Sequence, residues 1–143
     1  MEEPLLWKAQ YDTGVERIDY QHRYFLELID WLLHRLLSSE GFRLKSRYID
    51  EVMHYARFHF LSEENFMKDH GYPDRTRHEQ LHASLLKELN YKVSQLEFGD
   101  IHARDFVSFL MEWFMEHTVG EDKKIARYVQ ELAVSGRNPG PTP

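Results

Sequence analysis

Four long stretches of this chain repeat apolar residues at the spacing of an amphipathic helix, and this pattern constrains the fold more than any other feature of the sequence. The first stretch begins at Asp19, and its apolar side chains keep this spacing as far as Leu36. Asp19 is a plausible N-cap for this helix, and Asp74 is one for the third. The pattern predicts helices at about residues 19–37, 42–69, 75–98 and 102–134.

Short breaks separate these helices, and no strand-like alternation stands out in the 143 residues. Long amphipathic helices with short connections predict an all-α fold, an antiparallel up-down-up-down four-helix bundle. A chain of this length suits one domain, which we place at residues 1–134. Within it, residues 1–18 contain Pro4 and Gly14 and are predicted to form an extended N-terminal arm. Residues 135–143 are rich in glycine and proline and are predicted to be a disordered tail.

The chain carries nine histidines and no cysteine. Without cysteine there are no disulfides, iron–sulfur clusters or thiolate zinc sites, so a metal site would use nitrogen and oxygen ligands. A formal net charge of −6 argues against nucleic-acid binding. The acidic start lacks the apolar core of a secretory signal, and no stretch is apolar enough to span a membrane. We therefore expect a cytoplasmic protein with neither nucleic acid nor a membrane as its partner.

His78 and His82 belong to the string HEQLH, which has the H-E-x-x-H pattern of zinc peptidases, with Glu79 as the general base. Whether this pattern signals a peptidase depends on where the other metal-binding residue types lie. In an antiparallel bundle, residues equidistant from a connection lie at the same height along the bundle. His22 and His59, for example, are nearly equidistant from the break between the first two helices.

Seven residues are related in this way about the glycine breaks and fall on two adjacent levels of the bundle: His22, His59, Glu63, His78, His82, His117 and Asp122. Pairs separated by four residues on one helix, such as His59 and Glu63, share a helix face. His117 and Asp122 are five residues apart, which is about 140° on an ideal helix. A local loosening of the helix at Gly120, or a long reach across the bundle, could bring them together, and periodicity leaves both open.

Seven such groups facing a core would be left unpaired without a cation, at a cost of several kcal/mol. They are too many for one four-coordinate zinc ion, which argues against the peptidase interpretation, but they suit two octahedral first-row ions. Carboxylates can bridge a pair of ions, and imidazoles are terminal ligands that suit iron. The set therefore predicts two iron ions (Fe2+/Fe3+) joined by both carboxylates and a bridging oxo or hydroxo group. One ion would be saturated, and the other would keep an open position for dioxygen.

The large share of histidines among these seven residues also indicates what chemistry the two ions would support. Ferritin-like di-iron oxygenases use four carboxylates with Glu-x-x-His pairs, whereas this chain has His-x-x-x-Glu and His-x-x-x-His pairs. The lower negative charge should disfavour high-valent iron and favour reversible binding, so we expect a protein that is not an enzyme. Glu64 is expected to be solvated or paired with a basic group. The remaining histidines lie off these levels or near turns and are expected to be exposed: His34, His54, His70 and His102.

Four segments together resemble the hemerythrin family, and most closely its single-domain bacterial members. The segments are Trp7 with Ile18-Asp19-Tyr20-Gln21-His22, the stretch His59-Phe60-Leu61-Ser62-Glu63-Glu64, the turn Gly71-Tyr72-Pro73 ahead of His78 and His82, and Trp113 and His117 ahead of Asp122-Lys123-Lys124. The resemblance covers about residues 7–132. It implies a di-iron protein that binds dioxygen reversibly as hydroperoxide, for oxygen transport, storage or delivery, and it allows an oxygen-consuming protein as partner.

The resemblance also implies roles for individual residues. The ligands would be His78, His82 and His117 for the saturated iron, His22 and His59 for the iron that binds dioxygen, and Glu63 and Asp122 as bridges. A dry oxygen pocket would be walled by Phe25, Phe60, Trp113, Phe114 and Val119. The family commonly has an aliphatic residue where this chain has Thr118, whose hydroxyl could speed autoxidation by admitting a proton or water. Oxygen or redox sensing through a separate partner, and peroxide or nitric-oxide handling at the same site, remain alternatives.

Overall fold

Helices account for most of residues 5–135, the part of the chain that the computed structural model describes. No strand occurs within that range, which confirms the all-α prediction for the described residues. After a single 3-10 turn at Ala9–Tyr11, the elements follow in this order: α1 (Glu16–Leu36), α2 (Phe42–Asp69), α3 (Arg75–Glu97), α4 (Ala103–Met115), a π-helical segment (Glu116–Asp122) and α5 (Lys123–Ser135). The last three run on without a break, so they correspond to the fourth predicted helix.

Each of the four helices α1 to α4 packs against the next, and the last packs against the first. α1 contacts α2, α2 contacts α3, α3 contacts α4, and α4 returns to contact α1. The apolar faces predicted from the sequence meet inside this arrangement, where the most enclosed apolar side chains have no exposed surface: Ile29, Leu32, Met67, Leu89, Leu110 and Ile125. Burial of these faces is the main stabilising contribution to such a fold. None of the described helices is both long and apolar enough to cross a membrane.

The start of α1 differs from the prediction. The helix begins at Glu16, so residues 16–18 of the predicted extended arm are helical, and the 3-10 turn at Ala9–Tyr11 interrupts the arm before them. Asp19 is not the N-cap, because its carboxylate accepts hydrogen bonds from the backbone N–H and hydroxyl of Thr13, both at 2.8 Å, and from the Gly14 N–H at 3.0 Å. The side chain thus stabilises the turn ahead of the helix, and not the first free N–H groups of the helix itself.

The other helix boundaries lie close to their predicted positions. Asp74 occupies the N-cap position of α3, but its side chain makes no capping hydrogen bond there. The last helix ends at Ser135, inside the predicted tail at 135–143, and the rest of that tail lies outside the described residues. The same holds for residues 1–4 of the predicted arm.

Two apolar clusters flank one polar layer along the helices. The larger cluster includes Phe25 and Phe60, and the smaller one includes Ile18, Phe66 and Ile125. On α1, α2 and the final helical stretch, the predicted metal-binding residues lie between members of these two clusters in the sequence. The polar layer is therefore enclosed by apolar packing on both sides.

Candidate metal centre

The structure brings the seven predicted residues together in the core. Each exposes 5% or less of its surface, and Asp122 exposes none. α1 contributes one of them, α2 two, α3 two and the π-helical segment two. Their candidate ligand atoms form two groups whose members lie within 4.8 Å of one another: Glu63, His78, His82, His117 and Asp122 in the first, and His22, His59, Glu63 and Asp122 in the second.

The two groups share both carboxylates, and each carboxylate turns a different oxygen toward each group. Glu63 Oε1 lies 2.7 Å from His78 Nε2, while Glu63 Oε2 lies 3.5 Å from His59 Nε2. Asp122 Oδ1 lies 2.8 Å from His117 Nε2, while Asp122 Oδ2 lies 2.8 Å from His22 Nε2. A carboxylate with one oxygen in each of two adjacent donor groups has the arrangement needed to bridge two cations.

The donor atoms do not satisfy one another. His22 Nε2 faces His59 Nε2 at 3.0 Å, and His82 Nε2 faces His117 Nε2 at 3.2 Å. One nitrogen of each pair can donate to the other only when its ring carries a proton on Nε2, and the same nitrogens also lie close to the carboxylates of Glu63 and Asp122. Both oxygens of Asp122 are buried and have no well-aligned hydrogen-bond donor among the described residues. Nitrogen and oxygen lone pairs directed at common points, in a buried site, fit cations better than they fit a hydrogen-bond network.

The π-helical segment explains how His117 and Asp122 meet. A π-helix bonds each residue to the one five positions on, so residues five apart come onto one face. Both side chains are buried, and the structure therefore shows the local loosening of the helix that the sequence left as one of two alternatives. Glu121 lies on the outer side of this segment. Its carboxylate accepts a hydrogen bond from Arg77 at 2.6 Å and another from Lys124 at 3.3 Å, and these bonds stabilise the segment.

The charges of the buried groups depend on one another. Burial alone would lower the pKa of His117 and His78, but the neighbouring carboxylates of Asp122 and Glu63 raise it to about 10 and about 9. Burial would raise the pKa of both carboxyls, but the surrounding histidines hold it well below the usual range. The pKa of His59 is lowered by burial. Without a metal, the site therefore keeps its carboxylates charged and holds protons on His78 and His117 near neutral pH.

Two residues that touch the cluster from outside were not assigned to the site from the sequence. Glu64 was expected to be solvated or paired with a basic group, and its Oε2 accepts a hydrogen bond from His82 Nδ1 at 2.7 Å. Gln21 was given no role beyond its place in the YQH segment, and its Oε1 lies 2.7 Å from His59 Nδ1. Each directly adjoins one of the seven residues in the sequence, but it lies off the apolar stripe, so periodicity gave no reason to select it.

Four of the five predicted pocket residues surround the cluster. Phe60 stacks on the His82 ring with centroids 3.9 Å apart, and Phe114 meets the His22 ring edge to face at 5.6 Å. Phe25 packs against Phe114 at 5.5 Å. Trp113 is also buried and approaches Phe60 at 5.5 Å, with its indole N–H donating to the Leu85 carbonyl oxygen.

Val119 was wrongly placed in this pocket. Its surface is 39% exposed, and Thr118 has none exposed. The π-helical turn carries Thr118 inward and leaves Val119 and Gly120 on the outer side. Thr118 Oγ1 is buried and has no hydrogen-bond partner among the described residues.

The remaining histidines stay out of both groups. His34, His54 and His102 are exposed, as predicted. His70 is half-buried and not exposed, because its ring packs against Phe66 with centroids 4.1 Å apart and its Nδ1 donates to the Phe66 carbonyl oxygen. Glu79, the middle residue of the HEQLH string, also lies outside the cluster and is paired with Arg75 at 3.8 Å.

Comparison with known proteins places these residues in a family context. A family model described as the hemerythrin HHE cation binding domain matches residues 13–129, which include the whole cluster. A bacteriohemerythrin of Stenotrophomonas maltophilia is 29% identical over 126 residues, which is 88% of this chain and 82% of that protein. A bacteriohemerythrin of Clostridium acetobutylicum is 26% identical over 83% of this chain and 96% of its own length. One from Campylobacter jejuni is 26% identical over 80% of this chain and 86% of its own length.

Proposed function

Since the chain belongs to the hemerythrin HHE cation-binding family, we propose that it is a non-haem di-iron protein that binds dioxygen reversibly, for oxygen transport, storage or delivery. The observation that carries this proposal is the pair of shared carboxylates, each with one oxygen in each histidine group. The proposed ligands are His78, His82 and His117 for one iron, His22 and His59 for the other, and Glu63 and Asp122 as bridges.

The unequal number of histidines supports an open position on one side. The first group contributes three histidines and the second contributes two, while both use the same two carboxylates. With a bridging oxo or hydroxo group, the three-histidine position would be complete and the other would have room for dioxygen. Two bound ferrous ions would supply two electrons to dioxygen and recover them on release.

The protein's own residues favour binding without further chemistry. Two carboxylates and five histidines give two irons less negative charge than the four carboxylates of ferritin-like oxygenases, which disfavours oxidation beyond the ferric state. Phe60 and Phe114 cover the histidine rings, and Phe25 and Trp113 extend this apolar wall. A wall of this kind limits the entry of water and protons, which promote irreversible oxidation.

For the fold, we propose an antiparallel up-down-up-down order of the four long helical stretches within one domain at residues 1–134. The short connections between them and the contact of α4 with α1 support this order. An antiparallel order also accounts for the meeting of His22 with His59 and of His82 with His117, because each pair is nearly equidistant from a connection.

The visible absorption spectrum of iron-reconstituted protein, cycled between anaerobic and aerated buffer, tests this function. We expect a nearly colourless reduced form that gains a charge-transfer band in air and loses it when oxygen is removed. His59→Ala should abolish the band, while His54→Ala, on the same helix but exposed, should keep it. A band that appears once and decays to a fixed spectrum would favour sensing or peroxide handling instead. No colour under any condition would exclude iron.

A further inference from the structure

Only two of the five clustered histidines have an outer partner on Nδ1 among the described residues, and these two partners differ in charge. His82 is bonded to Glu64, a carboxylate, and His59 is bonded to Gln21, a neutral amide. The Nδ1 atoms of His22, His78 and His117 are buried without a hydrogen-bond partner in the described part of the chain. His82 belongs to the three-histidine group and His59 to the two-histidine group, so each group has one such partner.

Glu64 sets the protonation of the His82 ring. A carboxylate only accepts hydrogen bonds, so the 2.7 Å contact requires a proton on His82 Nδ1. In the neutral ring, which is the form that binds a metal, the lone pair is then on Nε2, and this atom lies 3.1 Å from Glu63 Oε1 inside the cluster. Glu63 and Glu64 are adjacent on α2, and the first faces the cluster while the second supports a histidine from behind with 28% of its side chain exposed.

Gln21 fixes the position of the proton on the His59 ring in the same way, but its amide side chain carries no charge. Its Oε1 accepts from His59 Nδ1, and its Nε2 donates to Ser62 Oγ at 2.8 Å. The Arg17 guanidinium also donates to Ser62 Oγ, at 3.0 Å, which anchors the far side of this network. The amide is therefore held with its oxygen toward the ring, and His59 Nε2 is left free to face the cluster.

We propose that Glu64 and Gln21 are positioning residues that add to the difference between the two metal positions, so that the three-histidine position binds its ion more tightly. A carboxylate behind a ligating histidine raises the basicity of that ligand, and an amide does so less. The extra negative charge also favours the higher oxidation state on the same side. This inference rests on the proposed function, because it requires two metal positions.

Exchanging the two side chains separates this effect from a purely structural one. Glutamine at position 64 can accept the same hydrogen bond, so Glu64→Gln keeps the contact and removes the charge. Gln21→Glu adds a charge behind the other group. Glu88→Gln, at an exposed site on α3, is the matched control for the loss of one surface carboxylate.

The experiment is an anaerobic Co2+ titration of the metal-free protein and the three variants, with a competing fluorescent chelator, followed by thermal unfolding of each metal-free form. Wild-type protein should bind two equivalents in separate steps. Glu64→Gln should weaken the tighter step by about 10–100-fold and leave the weaker step nearly unchanged. Gln21→Glu should strengthen the weaker step, and Glu88→Gln should change neither. In iron-loaded protein, Glu64→Gln should raise the lower of the two reduction midpoints.

The results distinguish this inference from the proposed function. If wild-type protein binds two equivalents but Glu64→Gln titrates like Glu88→Gln, the inference is wrong and the di-metal site stands. Equal weakening of both steps, with a lower melting temperature of the metal-free variant, would show a structural role and also overturn it. Uptake of fewer than two equivalents by the wild type would overturn the proposed function and the inference together.

Discussion

Thr118 brings a hydroxyl into the most enclosed part of the molecule. Its side chain has no exposed surface, and Oγ1 lacks a hydrogen-bond partner among the described residues. An unpaired buried hydroxyl costs about 1–3 kcal/mol. It follows His117 directly, and the His117 ring meets Phe60 with centroids 5.3 Å apart.

We expect Thr118→Val and Thr118→Ile to slow autoxidation of the oxygenated protein, because either change removes a group that could hold water or pass a proton. Valine nearly matches the shape of threonine, so Thr118→Val should also raise the free energy of unfolding of the metal-free protein by about 1 kcal/mol. Decay of the visible band in air and chemical denaturation measure the two effects. An unchanged or faster decay in both variants would show that the hydroxyl has no part in autoxidation.

The second prediction at this scale separates the proposed di-iron site from the peptidase interpretation of the HEQLH string. Asp122→Asn replaces one oxygen of a carboxylate that we propose as a bridge with an amide nitrogen, and we expect it to lower iron content below two per chain. Glu79 is 42% exposed and paired with Arg75, so Glu79→Gln should keep both irons. Metal analysis after desalting measures this directly. Zinc at one per chain, with a peptidase activity that Glu79→Gln abolishes, would restore the peptidase interpretation.

Residues that obey a helical period were easier to place from the sequence than residues that do not. His59, Glu63, His78 and His82 are spaced by four residues on their helices, so their shared face followed from arithmetic alone. Glu64 and Gln21 lie about a quarter turn off those faces, and only the three-dimensional packing brings them to a histidine nitrogen. Val119 was chosen by resemblance and not by period: two residues after His117 correspond to about 200° on a helix, which puts Val119 on the face opposite His117.

At the scale of the elements, the π-helical segment and the turn before α1 both contain a glycine, with different requirements. Gly120 is not one of the glycines with a positive φ, and a Cβ added there would meet nothing within 4 Å. Gly14 has a φ of 94°, in the left-handed region, and a Cβ there would collide with the Gln130 side chain. Only the second position requires glycine, and it does so on conformational grounds, because the end of the Gln130 side chain can move aside.

The same substitution should therefore have opposite effects at these two sites. Gly120→Ala should stabilise the protein by about 0.4–1 kcal/mol, because alanine loses less backbone entropy in a helix. Gly14→Ala should destabilise it by about 1–3 kcal/mol, because it strains the turn that Asp19 holds. Chemical denaturation of the metal-free variants measures both. A loss of metal binding in Gly120→Ala would mean that the π-helical turn depends on the flexibility of glycine.

Helix positions were easier to predict than their internal geometry. Long apolar stripes and short polar breaks placed the four helical stretches within a few residues, because burial of a face dominates their stability. The first residue of α1 was misplaced because Asp19 bonds backward to Thr13 and Gly14, which depends on the path of the preceding turn. The π-helical segment was only one of two ways to align His117 with Asp122, and no local propensity decided between them.

At the scale of the whole molecule, the polar layer between two apolar clusters couples metal to folding. The metal-free protein buries five histidines and two carboxylates whose nitrogen and oxygen atoms lie close together. The stability of the metal-free protein depends partly on protons bound to His78 and His117, since the pKa of His78 is raised to about 9 and that of His117 to about 10. These protons supply positive charge beside the buried carboxylates, as a metal ion would. A bound metal removes this dependence, because it needs the unprotonated nitrogens.

The effect of pH on stability should therefore differ between the two forms. A histidine whose pKa rises on folding from its ordinary 6.5 to about 9 or 10 stabilises the folded protein fully below about pH 6.5, and this contribution disappears as pH rises through the higher value. We expect the melting temperature of metal-free protein to fall between about pH 7 and pH 9.5. Metal-loaded protein should melt at a higher temperature throughout and change less, so the difference should widen with pH. In Asp122→Asn, which lacks the main carboxylate that raises the pKa of His117, the metal-free decline should be smaller. Parallel melting curves for the two wild-type forms across this range would contradict both the buried metal site and the protons that we assign to it.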